Sequence, residues 1–482
     1  MKTITCDVAV IGAGTAGLSA YRQARAAGKH AVLIEDGPYG TTCARVGCMP
    51  SKLLIAAAEA AHAVAAAPAF GVHPGPLRID GAAVMARVRR ERDRFVGFVL
   101  ENMAQLPAAD LLRGRARFSG PRTLLVDGHT TVEANAIVLA TGSRPIVPAA
   151  WRAAGARVLS SDAVFEWTDL PAAVAVVGSG VIGLELGQAL HRLGVRVALY
   201  ARGDSVAQLG DPLVLAAARA VLAEELDLRF HTQVAAIEAT AEGDGVLLRS
   251  QGPDGAARSE RYDYVLAAIG RAPNIEDLNL AAAGIALDGD GVPVYDRHTM
   301  QCGNSAIFIA GDASDELPLL GEAADQGKIA GRNAAAFPAV APGLRRTPLT
   351  IAFSEPQIVT LGAGYEALCR SHEGRFAAGK VDFGDQGRSR VMLQNKGLLR
   401  VYGEYGSGRF LGAELIGPRA EHLGHLLAWA CQAGLTVRAM LDMPFYHPVI
   451  EEGVRTALRE LAEHLATTPP PAQPCPDCTP GT

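Results

Sequence analysis

Cys43 and Cys48 are separated by four residues in TTCARVGCMPSK. Two thiols so close can pass two electrons as a dithiol and a disulfide, or supply half of a tetrahedral metal site. Behind Cys48, PSKLLIAAAEAAH places strong helix formers after a proline suited to a first turn, so Cys48 is expected at a helix N-terminus. The positive end of that dipole favours the thiolate, the nucleophilic form. No second Cys or His pair with finger spacing occurs in the body of the chain, so the reading is redox chemistry and no metal is assigned. Cys6, Cys302, Cys369 and Cys431 stand alone and read as small buried hydrophobes.

A dithiol of this kind needs an electron donor held beside it. Just upstream, VAVIGAGTAGLSAYRQARAAGKHAVLIE reads as strand, glycine turn, helix and strand, with Gly12, Gly14 and Gly17 in G-x-G-x-x-G spacing. The glycines let the backbone approach a pyrophosphate at the helix N-terminus, and Glu35, ending the second strand, would accept from ribose hydroxyls. The plan recurs in AVAVVGSGVIGLELGQALHRLGVRVALYAR with Gly178, Gly180 and Gly183. There the strand-end carboxylate is replaced by Ala201, and Arg202 follows, the exchange expected where a 2′-phosphate is accommodated. Two dinucleotide folds require two ligands: FAD beside the dithiol, and NADPH, with NADH as the alternative, in the second.

The chain has 482 residues, which at roughly 150 residues per domain gives about three domains. Its formal net charge of −5 speaks against nucleic-acid or membrane-surface partners, both of which reward basic patches. LIAAAEAAHAVAAAPAF comes nearest to a membrane span, but Glu59, His62 and Pro68 interrupt it. The fingerprint begins almost at the first residue and leaves no room for a secretory leader, so the expected location is cytoplasmic.

With TTCARVGCMPSK, four further stretches extend nearly end to end: ATGSRP, AIGRAPN, IFIAGDA and FYHPVIEE. Together they resemble the flavoprotein disulfide reductases that include dihydrolipoamide dehydrogenase, glutathione reductase and mercuric reductase. The resemblance implies an α/β fold with two Rossmann-like domains and a C-terminal α+β dimerisation domain. It implies FAD held by Asp312, with Thr141, Gly142 and Gly270 among the cofactor-binding positions, and an ion pair of Lys52 with Glu185 beside the flavin. It also implies that Cys48 contacts the flavin, that Cys43 exchanges with substrate, and that His447, oriented by Glu452, shuttles the proton. In this family that histidine comes from the partner subunit, so a homodimer with shared active sites is expected. Thr41 departs from the pattern by standing where a glycine often precedes the first cysteine. Tyr446 and Glu451 replace smaller residues around His447, which leaves the substrate open.

The expected division is an FAD domain over 1–148 and 272–345, an NAD(P) domain over 149–271, a dimerisation domain over 346–466 and a proline-rich tail over 467–482. An extended tail would carry Cys475 and Cys478 about 30 Å, far enough for a redox relay to a neighbouring subunit. The favoured function is an NADPH-consuming reductase of a small-molecule or protein disulfide. The alternatives are an NAD-dependent dihydrolipoyl dehydrogenase, a mercuric or other metal-ion reductase, and a non-catalytic flavin-binding anchor subunit.

Overall fold

Strands that read as continuous apolar runs form parallel sheets covered on both faces, as such runs require. The structure, a computed structural model, describes residues 2–372 and 375–466. The first unit is β1 (Lys2–Ile11), α1 (Thr15–Ala26) and β2 (Ala31–Glu35), with Val8, Val10 and Leu33 wholly buried. Next come α2 (Thr42–Val46), α3 (Cys48–Ala66) and α4 (Gly81–Ala104). Then β3 (Leu111–Arg113), β4 (Ala116–Gly120), β5 (Thr123–Val126) and β6 (Thr130–Leu139) complete a sheet of order β3-β2-β1-β6-β5-β4. Ile307–Ile309 returns much later in the chain to pair in parallel with β6. That return carries the Gly311–Ser314 turn, and Asp312 with it, to the ligand edge of the first sheet.

The second unit repeats the plan. A short link, β7 (Ser143–Pro145), pairs antiparallel with Arg271–Pro273, so the chain leaves and re-enters the first domain through one ribbon. Between its arms lie β8 (Val158–Ser160), α5 (Ser161–Val164), β9 (Ala173–Val177), α6 (Val181–Arg192), β10 (Arg196–Tyr200), α7 (Pro212–Ala223) and β11 (Asp227–Arg229). The sheet runs β11-β10-β9, then Tyr264–Ala267, then β8. The third part is a five-stranded sheet of residues 349–417 whose pairs are all antiparallel, covered by Ala420–Gln432 and Glu452–Ala466.

The helical stretch Thr42–Phe70 is long and apolar enough to cross a membrane by length and composition, with 18 consecutive residues of mean hydropathy 1.6. Glu59 and His62 lie within α3, which ends at Ala66, just before Pro68. Leu54, Ile55, Ala58 and Ala61 nevertheless pack into one apolar cluster with Leu184, Leu186 and Leu190 of α6.

Candidate active site

Cys48 is the first residue of α3, and Cys43 lies in α2 one turn upstream. The Cys43 thiol hydrogen-bonds Cys48, and this bond, ahead of the Lys52 charge and against the cost of burial, pushes the Cys48 thiol down to about 7. The same hydrogen bond, followed by burial, pushes Cys43 well above its usual range. The two shifts run in opposite directions, favouring the thiolate at Cys48 and the proton at Cys43. Lys52, one turn along α3, bonds both carboxylate oxygens of Glu185 at 2.9 and 2.8 Å and stands 4.5 Å above the Phe353 ring. Glu185 is 4% exposed and also accepts from the Phe353 amide at 2.9 Å. Phe353 is far away in sequence, and no local pattern marked it.

Gly12, Gly14 and Gly17 bring the first sheet to its ligand edge. A Cβ on Gly12 would meet the Ala140 carbonyl at 2.2 Å and one on Gly17 the Gly12 carbonyl at 1.8 Å, whereas Gly14 faces open space. That opening is the head of a cleft of about 470 Å³ lined by Glu35, Thr42, Thr141 and Gly142. Glu35 holds the turn by accepting from the amides of Ala13 at 2.7 Å and Gly37 at 2.8 Å. The buried Thr141 hydroxyl has no hydrogen-bond partner among the described residues, and Thr141 lines the cleft. A second pocket, of about 310 Å³, takes in Cys43, Cys48, Lys52, Glu185 and Asp312 and shares Gly14, Thr42, Ala140 and Gly142 with the first. A long dinucleotide fits this run: open backbone and an orphan hydroxyl at one end, the dithiol at the other. Asp312 accepts from Ser143 Oγ at 2.7 Å, and the buried Gln326 accepts from the Gly311 amide at 2.7 Å, fixing the turn that carries Asp312. Neither Ser143 nor Gln326 was found from sequence.

The second fingerprint repeats the geometry closely. A Cβ on Gly178 would meet the Ala268 carbonyl at 2.2 Å, one on Gly183 the Gly178 carbonyl at 2.0 Å, and Gly180 again faces open space. Gly270, with φ +133°, opens the return ribbon. Arg202 is exposed just beyond the end of β10.

His447 Nδ1 lies 3.0 Å from Glu452 Oε2, and that hydrogen bond, with the Val449 amide and Arg455 in support, holds the Glu452 carboxyl below its usual range. The His447 side chain is 82% exposed and does not line its own subunit's dithiol pocket. Cys475 and Cys478 lie outside the described residues.

Residues 6–327 match the family described as pyridine nucleotide-disulphide oxidoreductase, and residues 349–458 match its dimerisation domain. A dihydrolipoyl dehydrogenase of Halobacterium salinarum is 32% identical over 95% of this chain and 96% of its own. A mercuric reductase of Acidithiobacillus ferrooxidans is 32% identical over 93% of this chain and 81% of its own. The crystal structure of LpdA from Mycobacterium tuberculosis superposes with a TM-score of 0.79 at 25% identity, covering 96% of this chain and all of the other.

Proposed function

The chain belongs to the pyridine nucleotide-disulphide oxidoreductase family, and on that premise we propose that it draws on NADPH and reduces an external disulfide through Cys48 and Cys43. It is an FAD-dependent enzyme that uses a nicotinamide dinucleotide, and its dimerisation domain supports a homodimer. The observation that carries the reading is the dithiol itself, Cys43 and Cys48 lining one pocket with Lys52, Glu185 and Asp312 where it joins the dinucleotide cleft. When bound, FAD supplies hydride acceptance from the nicotinamide and delivery of two electrons to the Cys43–Cys48 disulfide.

The chain's own residues then run a thiol exchange. Lys52 and the Cys43 thiol stabilise the Cys48 thiolate. His447 of the partner subunit, oriented by Glu452, takes the Cys43 proton so that Cys43 attacks one sulfur of the substrate disulfide. The departing substrate thiolate receives that proton from the imidazole. Cys48 then attacks Cys43 in the mixed disulfide, re-forming the Cys43–Cys48 bond and releasing the second substrate thiolate. The Cys475–Cys478 relay would extend this exchange outward, and the enzyme would work in a reducing, cytoplasmic setting.

Ala201 and the exposed Arg202 support NADPH, since the strand end offers no carboxylate to repel a 2′-phosphate. The likeness to dihydrolipoyl dehydrogenase favours a second reading, NAD-linked oxidation of a dithiol. Anaerobic stopped-flow reduction with each coenzyme separates them. Faster reduction by NADPH, lost in Arg202→Glu, supports the reductase; reduction by NADH alone overturns it in favour of dithiol oxidation.

A further inference from the structure

Three arginines line the cleft that begins at Glu35: Arg45, Arg115 and Arg144. Two of them are paired within the protein. Arg115 meets Asp36 at 3.1 Å and Asp277 at 3.3 Å, and Arg144 meets Glu276 at 2.6 Å. Arg45 has no carboxylate partner among the described residues, and its Nη1 reaches only the Pro38 carbonyl at 3.5 Å, beyond a good hydrogen bond. Its stem is fixed against the Gly40 turn, where an added Cβ would meet Arg45 Cδ at 3.0 Å. A guanidinium that lines the cleft with no carboxylate of its own among the described residues is free to take an anion from a ligand bound there.

The position of Arg45 says which anion. Arg45 lies three residues past Thr42 on α2, and positions i and i+3 share a helix face. Both side chains line the cleft, and Thr42 belongs to the four residues where the cleft meets the dithiol pocket. A dinucleotide running from Glu35 to Cys48 crosses at that junction, with its phosphates at the N-terminus of α1. We propose that Arg45 binds the diphosphate of FAD, an inference that rests on the flavin reading above. Because Arg45 lies between the two cysteines, the same ion pair anchors α2, and Cys43 with it, on the cofactor.

The test is FAD dissociation from purified holoenzyme, followed by the fluorescence of released FAD at equilibrium in low and high salt, for wild type, Arg45→Gln and Arg45→Lys. A charge-assisted fork on a phosphate predicts FAD binding weakened about tenfold or more in Arg45→Gln, with a shallower salt dependence. Arg45→Lys keeps the charge without the fork and should fall between the two. Equal FAD affinity and equal salt dependence in Arg45→Gln overturn the proposal. Should that variant fail to accumulate, Arg45→Lys decides alone: weakened FAD binding supports the proposal, and unchanged binding overturns it. Wild-type protein that binds no FAD overturns the flavin reading and the proposal together, whereas wild type that binds FAD beside an Arg45→Gln of equal affinity overturns the proposal only.

Discussion

Cys43 and Cys48 are pushed in opposite directions by each other, which favours the thiolate at Cys48. The hydrogen bond from Cys43 contributes most to holding Cys48 at about 7, and Lys52 contributes less. The two contributions are separable by measuring how fast iodoacetamide alkylates Cys48 in the reduced protein as pH rises. The rate in wild type should rise with a midpoint near about 7, because alkylation follows the thiolate. Cys43→Ala should move that midpoint upward more than Lys52→Met does, and a larger effect from the lysine would overturn the ranking. Thr41 shows a different constraint. It sits at φ 59°, a region that disfavours β-branched residues, yet its hydroxyl accepts from the Ala44 amide at 3.3 Å and caps α2. A glycine would ease the backbone there but lose the cap, which gives a physical account of why threonine is tolerated just before Cys43.

At the scale of elements, each fingerprint glycine has its own task, and substitutions tell them apart. Gly17→Ala drives a methyl into the Gly12 carbonyl, a backbone atom that cannot swing away, and should cost about 3 kcal/mol or more. Gly14→Ala has free space and a φ of −76° that alanine adopts, so it should cost only about 1 kcal/mol as a poorer N-cap. That methyl does enter the cleft, so Gly14→Ala should fold and lose FAD, whereas Gly17→Ala should unfold; melting curves and bound-flavin absorbance of both variants check this. The contrast also explains what the sequence could reveal. Glycine spacing, strand runs and the cysteine pair are local patterns, and local patterns survive in a one-dimensional reading. Phe353, Ser143, Gln326 and the unpaired state of Arg45 exist only through contacts between distant segments. Arg45 lay in plain view between the cysteines, but only the pairing of its two neighbouring arginines made its lack of a partner visible.

The whole molecule is tied together at α6. Its Glu185 holds Lys52 of the first domain and the Phe353 amide of the third, while Gln188 and Arg192 bond Glu355 in the same segment. A second clasp joins the nucleotide domain to the third domain: the buried Glu414 accepts from the amides of Gly210, Asp211 and Tyr365 at 2.8 to 2.9 Å, and Tyr402 donates to Asp211 at 2.9 Å. These clasps fix the dimerisation domain relative to the dithiol within each subunit. His447, however, stands exposed and away from its own dithiol pocket, which is what the proposed site shared between two copies requires. Co-expression of a Cys48→Ser chain with a His447→Gln chain tests this directly. Each homodimer alone lacks one essential group at both sites and should be inactive. In a two-fold heterodimer, the His447→Gln chain supplies the dithiol and the Cys48→Ser chain supplies the histidine, so one of the two sites is whole. With random pairing, half the dimers are mixed, and disulfide reduction should return to about a quarter of the wild-type rate. If each subunit used its own His447, neither site of the heterodimer would be whole and no activity would return.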